Sequence, residues 1–125
     1  RETFRASAEQ MRARLIEAIR NIPNMFVNES RLNASNILNL SLPGRDTDYL
    51  VALLDEAGFA VSTRSACETD SEEGSRAVFA LTGDRVRAKS TLRISWNADV
   101  SSRDLNRFAA ALMRAVAFID NSSRG

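Results

Sequence analysis

Apolar side chains recur along this chain at two spacings, one typical of helices and the other of strands. Spacings of three and four residues over positions 4–20 predict an amphipathic helix. The same spacing predicts a last helix that Ser101 or Ser102 caps, and we expect residues 120–125 to fray. The apolar stripes are Phe4, Ala8, Met11, Leu15 and Ile19 in the first helix, and Leu105, Phe108, Ala109, Leu112, Val116 and Ile119 in the last.

A period of two in the apolar positions predicts strands over 36–42 and 90–96, each with one face toward a core. Two further short strands are predicted over 25–27 and 59–63. The core-facing sets are Leu38, Leu40 and Leu42 in the first alternating strand and Leu92, Ile94 and Trp96 in the second, whose opposite face carries Thr91, Arg93 and Ser95.

A turn and a second helix lie between these strands. The segment PGRDTD predicts the turn, after which Asp46 or Thr47 caps the helix. Gly58 is expected to end this helix as a left-handed cap, and a further short helix is predicted over 74–81. The residues expected to line the capped helix are Tyr49, Leu50, Leu53, Leu54 and Ala57.

Helices and short strands therefore follow each other in mixed order. This order predicts an α+β fold in which a small, mostly antiparallel sheet packs against helices. The chain has 125 residues, which is enough to bury one independent core. We therefore expect residues 1–125 to form a single domain. Because the chain begins at an arginine inside a predicted helix, we expect it to be a piece of a longer protein.

Charge and composition narrow the classes of function. With 17 basic and 16 acidic residues, the net charge of +1 gives no field that would attract nucleic acid or an anionic membrane. No apolar run approaches the roughly 20 residues of a membrane span. A single cysteine cannot form an internal disulfide, so we expect a cytoplasmic protein. From the net charge and the missing apolar run, we expect no nucleic acid or membrane partner.

The chain contains no histidine, the commonest general base and metal ligand. This absence excludes histidine-dependent catalytic triads and Cys/His zinc sites within the chain. The only lysine is Lys89, so any Schiff-base chemistry within the chain would rest on this one residue.

Cys67, the only cysteine, has two interpretations. A free cysteine is often a small buried hydrophobic residue. Its neighbours over 62–75 are almost all polar or charged, however, and such a segment is typical of a surface loop that exposes a nucleophilic thiol. Arg64 would favour the thiolate, whereas the nearby carboxylates would oppose it, so activating groups must come from outside the loop. These carboxylates belong to Glu68, Asp70, Glu72 and Glu73.

Arg93 also has two interpretations. An arginine between two core-facing residues of a strand commonly points its charge at solvent. Alternatively, its guanidinium binds a carboxylate through two parallel hydrogen bonds.

Three segments, NILNLSL, AVSTRSAC and STLRISW, closely resemble the C-terminal small domain of cysteine desulfurases in their residues, order and spacing. These enzymes belong to the pyridoxal-phosphate-dependent class V aminotransferase family, of fold type I. The resemblance implies that Cys67 takes sulfur from L-cysteine as a persulfide, releasing alanine, and that Arg93 binds the substrate carboxylate. It also implies a homodimeric parent enzyme, a scaffold or carrier protein as sulfur acceptor, and a role in iron–sulfur cluster assembly.

The sequence also departs from this family. Arg64 and Asn97 stand where the family usually has glycine, and the histidine often found in the short helix after the cysteine loop is missing. In the family, the cofactor lysine and most phosphate ligands lie in a large domain, and Lys89 does not match the lysine motif. The resemblance therefore implies pyridoxal phosphate in the full-length parent, no cofactor on this chain alone, and no activity of the chain alone.

Other functions remain open from the sequence. An exposed thiol on a complete domain is also compatible with a stand-alone persulfide carrier or a protein-interaction module. A transaminase or a selenocysteine lyase of the same family would leave Cys67 incidental. A small domain that only packs against a partner domain is the remaining alternative, since a fold does not fix a function.

Overall fold

A computed structural model describes residues 2–28, 35–63 and 90–124 of the chain. The predicted helix over 74–81 lies outside these residues, as do Arg64, Cys67 and Lys89. The described helices and strands, in chain order, are α1 (Glu2–Ile19), β1 (Phe26–Asn28), β2 (Ile37–Ser41), α2 (Thr47–Leu53), β3 (Phe59–Thr63), β4 (Thr91–Trp96) and α3 (Ser102–Arg124).

The described strands form one sheet in the order β1-β2-β4-β3, and every neighbouring pair is antiparallel. β4 is an inner strand that pairs with β2 on one side and with β3 on the other. Helices and an antiparallel sheet together confirm the predicted α+β fold class.

One face of the sheet packs against the helices and forms the core. The leucines predicted to face inward, Leu38, Leu40 and Leu42, are fully buried, and so are Leu92 and Ile94. The same core cluster includes the apolar stripe of α3, as predicted, and Leu15 and Ile19 of α1. Each of these large side chains stabilises the fold by about 1.5–3 kcal/mol relative to exposure.

α3 begins with a reciprocal cap. The Asp104 N–H donates to Ser101 Oγ at 3.1 Å, and the Ser101 N–H donates to Asp104 Oδ2 at 3.1 Å. The bonds from the Ser101 backbone and side chain lower the pKa of Asp104. Ser101 is thus the cap, one of the two predicted residues.

α3 continues to Arg124, so residues 120–124 belong to this helix, and the expected fraying of residues 120–125 stays a prediction. Within this last part of the helix Asp120 is held by a buried arginine, Arg45. The sequence pattern identified Arg45 only as a turn residue, because its contacts are with residues distant in the chain.

The Arg45 guanidinium connects three separate segments of the fold. Its Nε and Nη2 donate to the two Asp120 carboxylate oxygens at 2.9 and 3.0 Å. Nη1 donates to the Asn24 carbonyl oxygen at 3.1 Å, and Nη2 also donates to that of Pro23 at 2.7 Å. The turn before α2, the connection after α1 and the end of α3 are therefore held together by one side chain.

The second helix is shorter than predicted. α2 ends at Leu53, and Leu54 adopts an extended conformation, with φ −109° and ψ 114°. The side chain of Leu54 is buried in the core, whereas Ala57 is exposed in a turn. Asp46, one of the two predicted N-caps, accepts a hydrogen bond from the Tyr49 N–H at 3.1 Å.

Gly58 has the positive φ that was expected, +88°, but it is not the cap of α2. It lies in the turn before β3, where its carbonyl oxygen accepts from the Asn97 N–H at 3.2 Å. A Cβ at this position would lie 2.8 Å from Val100 Cγ2. Both the backbone conformation and the approach of Val100 therefore favour glycine.

Replacing Arg45 by alanine should lower the free energy of unfolding by about 2 kcal/mol, since it removes the charged hydrogen bonds that a largely buried guanidinium makes to Asp120 and to two carbonyl groups. The matched control is Arg20→Ala, which breaks the Arg20–Glu17 ion pair, whose side chains are 66% and 68% exposed. We expect this control to cost less than about 0.5 kcal/mol in urea unfolding. Equal losses for the two variants would contradict the role assigned to Arg45.

Gly58→Ala should destabilise the fold more than Gly44→Ala does. Both glycines have positive φ, but a Cβ at Gly44 meets no heavy atom within 4 Å. We expect a loss of about 1 kcal/mol at Gly44 from backbone strain, and at least about 1 kcal/mol more at Gly58 from the contact with Val100. Thermal and urea unfolding of the two variants measure this difference, and a smaller loss at Gly58 would rule out the proposed crowding.

Candidate functional site

The sheet face opposite the helices is largely polar, and we call it the polar face. It arises because residues alternate along each strand, so that the neighbours of each core-facing residue lie on the other side. Among the described residues its polar members are Asn28, Asn39, Ser41, Ser62, Thr91, Arg93 and Ser95.

Four of these residues form one row across the sheet. Asn28 pairs with Asn39, Asn39 pairs with Arg93, and Arg93 pairs with Ser62. Directly opposed residues on neighbouring antiparallel strands have Cβ atoms about 5 Å apart. The row therefore places an amide and a hydroxyl on either side of the Arg93 side chain.

The guanidinium of Arg93 is exposed and has no hydrogen-bond or ion-pair partner among residues 2–28, 35–63 and 90–124. Its backbone is nevertheless fixed, because β4 is paired on both sides at this position. The predicted orientation of Arg93, opposite Leu92 and Ile94, is confirmed by their burial. A guanidinium whose backbone is held in place, and which has no partner in this region, can bind an anion through two parallel hydrogen bonds.

The neighbouring Asn39 belongs to a hydrogen-bonded cluster. Asn28 Nδ2 donates to Asn39 Oδ1 at 3.0 Å and to Ser41 Oγ at 2.8 Å. Asn28 is 4% exposed and Ser41 is 0% exposed, so this cluster is largely shielded from water. Buried polar groups that satisfy each other in this way hold one arrangement of side chains.

The strand that leads toward Cys67 is also held at its end. Thr63, the last residue of β3, donates from Oγ1 to Asp48 Oδ1 of α2 at 2.6 Å. Its neighbour Ser62 pairs with Arg93. Cys67 itself lies outside the described residues, so the geometry between Cys67 and Arg93 stays a prediction.

Asn97, which stands where the cysteine desulfurase family usually has glycine, does not need the conformational freedom of glycine here. Its φ is not positive, and its N–H donates to the Gly58 carbonyl oxygen. This departure from the family pattern is therefore compatible with the backbone after β4.

The described residues do not fit a pyridoxal phosphate site. They contain no lysine that could form an imine with the cofactor, because the only lysine of the chain is Lys89, and the whole chain has no histidine. Within the same described part of the chain, no three cysteine and carboxylate side chains gather where they could hold a metal ion.

The cluster of Asn28, Asn39 and Ser41 was missed by sequence reasoning. The alternation of Asn39 and Ser41 with leucines was visible in the sequence. The alternation does not reveal the pairing of β1 with β2, and this pairing brings Asn28 beside both residues.

No family model matches this sequence, and no curated protein matches it. Among solved structures, the chain is similar to a protein described as NifS-like, with a TM-score of 0.72 and 21% sequence identity. That alignment covers 94% of this chain and 29% of the other. The chain is also similar to a NifS-like protein from Rickettsia africae ESF-5, with a TM-score of 0.66 and 18% identity, over 90% of this chain and 29% of that one.

These structural neighbours define the fold as that of a segment of NifS-like proteins. This agrees with the predicted resemblance to the small domain of a cysteine desulfurase, and at these identities the likeness shows the fold alone. The chain spans 29% of the length of each of these two proteins.

No helix in the described segments combines the length and the apolar character that crossing a bilayer demands.

Proposed function

We propose that this chain is the small domain of a cysteine desulfurase-like enzyme, in which Arg93 binds the carboxylate of L-cysteine and Cys67 accepts the sulfur. The observation that carries the proposal is the exposed Arg93, flanked by Asn39 and Ser62 on the polar face. The likeness of the fold to NifS-like proteins supports it.

Arg93 suits a carboxylate for two physical reasons. Its planar guanidinium can offer two parallel N–H groups to the two oxygens of one carboxylate. Its position on an inner strand also limits the movement of its Cα, so less freedom is lost when the substrate binds. A surface arginine on a loop would lack this second advantage.

The covalent structure of the chain limits how far Cys67 can lie from this arginine. Cys67 follows Thr63 by four residues, so their Cα atoms can be separated by at most about 14 Å. Thr63 pairs with Leu92, the residue before Arg93. A substrate whose carboxylate is held by Arg93 would therefore lie within reach of the segment that carries the thiol.

In the proposed reaction, the Cys67 thiolate attacks the sulfur atom of L-cysteine. An S–S bond forms, the C–S bond of the substrate breaks, and its electron pair stays on carbon, which takes a proton to give alanine. Cys67 is left as a persulfide, and no external oxidant or reductant is consumed. Transfer of the terminal sulfur to an acceptor protein then restores the thiol.

Pyridoxal phosphate in the full-length protein would supply the electron sink for C–S cleavage. We place its binding residues in the large domain that the resemblance to cysteine desulfurases implies. The full-length protein would be a homodimeric, cytoplasmic enzyme that passes sulfur to a scaffold or carrier protein, including for iron–sulfur cluster assembly. This chain alone should release no sulfide from L-cysteine.

Cys67→Ala in the full-length protein should reduce alanine and sulfide production from L-cysteine by about 10³-fold or more, since it removes the nucleophile. The matched control is Ser65→Ala, which changes the same segment and keeps the thiol. Mass spectrometry of the protein after incubation with L-cysteine should show one added sulfur in the control and none in Cys67→Ala. Undiminished sulfide release by Cys67→Ala would refute the assignment.

Arg93→Ala should raise the KM for L-cysteine by about 10–100-fold, because it removes charged hydrogen bonds to the carboxylate. Arg103→Ala, at an exposed position of α3, serves as the control and should leave KM unchanged. Steady-state kinetics over a range of L-cysteine concentrations measure the effect. An unchanged KM in a folded Arg93→Ala protein would show that Arg93 does not bind the substrate carboxylate.

A further inference from the structure

We propose that Asn39 is a second residue that binds the substrate carboxylate, and that Asn28 and Ser41 hold it in the required orientation. This inference rests on the proposed role of Arg93. It adds a neutral donor to the site and identifies two positioning residues that do not touch the substrate.

The position of Asn39 follows from the register of the sheet. It lies directly opposite Arg93 on the neighbouring strand, on the same face, with a half-buried side chain. Cβ atoms of such a pair are about 5 Å apart, which is within the span of one carboxylate group and its hydrogen bonds. A carboxylate that accepts hydrogen bonds from an Arg93 side chain lying along the sheet toward β2 would therefore also reach the Asn39 amide.

The orientation of Asn39 follows from its partner on the opposite side. Its carbonyl oxygen Oδ1 accepts from Asn28 Nδ2, so it faces β1. Since the amide is planar, its nitrogen lies on the side of the group away from β1, toward Arg93 on β4. Within the described segments this nitrogen donates no hydrogen bond, so its two N–H groups are available to a ligand.

The cluster also resists a reversal of the amide. Asn28 Nδ2 uses its hydrogen atoms for Asn39 Oδ1 and Ser41 Oγ, at 3.0 and 2.8 Å. Rotating the Asn39 amide by 180° would place N–H groups against the Asn28 N–H groups, inside a region from which water is largely excluded. Asn39 is thus prepared to donate before any ligand binds, which is the arrangement that favours tight and specific binding.

The chemistry of this pair matches a carboxylate. A carboxylate has about four positions that accept hydrogen bonds, of which a bidentate arginine uses two. A neutral amide donor fills a third position without adding a second positive charge. Within the described segments the hydroxyl of Ser62, on the other side of Arg93, has no hydrogen bond that fixes its direction, whereas Asn39 is held by the cluster.

The test uses the full-length protein with L-cysteine and with one analogue, cysteamine, that lacks the carboxylate. Asn39→Ala should raise the KM for L-cysteine by about tenfold, the loss of one hydrogen bond to a charged group. It should leave unchanged the inhibition constant of cysteamine, which lacks the carboxylate. Asn39→Asp should raise KM further, because its negative charge repels the carboxylate and pairs with Arg93.

Asn28→Ala should raise the KM for L-cysteine by a smaller factor, about threefold, since it releases the Asn39 amide without removing it. Asn106→Ala, an exposed asparagine on α3, is the matched control and should change neither constant. Thermal unfolding of each variant separates loss of folding from loss of binding.

The outcomes distinguish this inference from the function on which it rests. If Arg93→Ala raises the KM for L-cysteine and Asn39→Ala does not, the role of Asn39 is overturned and the proposed function stands. Equal effects of Asn39→Ala on L-cysteine and cysteamine would also overturn it, by showing a general structural role. If the full-length protein does not convert L-cysteine, the proposed function fails and this inference fails with it.

Discussion

The rest of the structure depends on the pairing of β4 with a strand on each side. Because residues of β4 alternate between faces, burying Leu92, Ile94 and Trp96 against the helices places Arg93 on the opposite face. A shift of one residue in register would put the arginine in the core and the apolar residues in its place, at a prohibitive free-energy cost. The hydrophobic core thus determines the position of the functional charge.

The polar face supplements this constraint with local hydrogen bonds. Core burial fixes where the strands lie, but it does not orient an amide or a hydroxyl on the other side of the sheet. The bonds from Asn28 to Asn39 and Ser41 provide that orientation, at the β1 end of the row that contains Arg93. The candidate site therefore combines an arginine whose backbone is fixed with a neighbouring amide whose direction is fixed.

Much of this fold could be predicted from local patterns, because strand alternation and helical spacing report which side of an element is buried. The buried leucines of β2 and the two faces of β4 are examples. The interactions that escaped prediction join distant positions, such as Arg45 with Asp120, 75 residues apart, and Asn28 with Asn39 across two strands. Sequence periodicity contains no information on such partners, which explains why the contacts of Arg45 and the polar cluster were missed. For the site, the sequence identified Arg93 and Cys67 by resemblance, and the structure adds the surroundings of Arg93.

The central claim is that Arg93 on the polar face binds the carboxylate of an amino acid. A crystal structure of the full-length protein with L-alanine, the product of the proposed reaction, tests this claim most directly. The account predicts a carboxylate oxygen at hydrogen-bond distance, about 3 Å, from the Arg93 guanidinium nitrogens, with the Asn39 amide nitrogen at its side. A carboxylate bound elsewhere, with Arg93 left facing solvent, would contradict it.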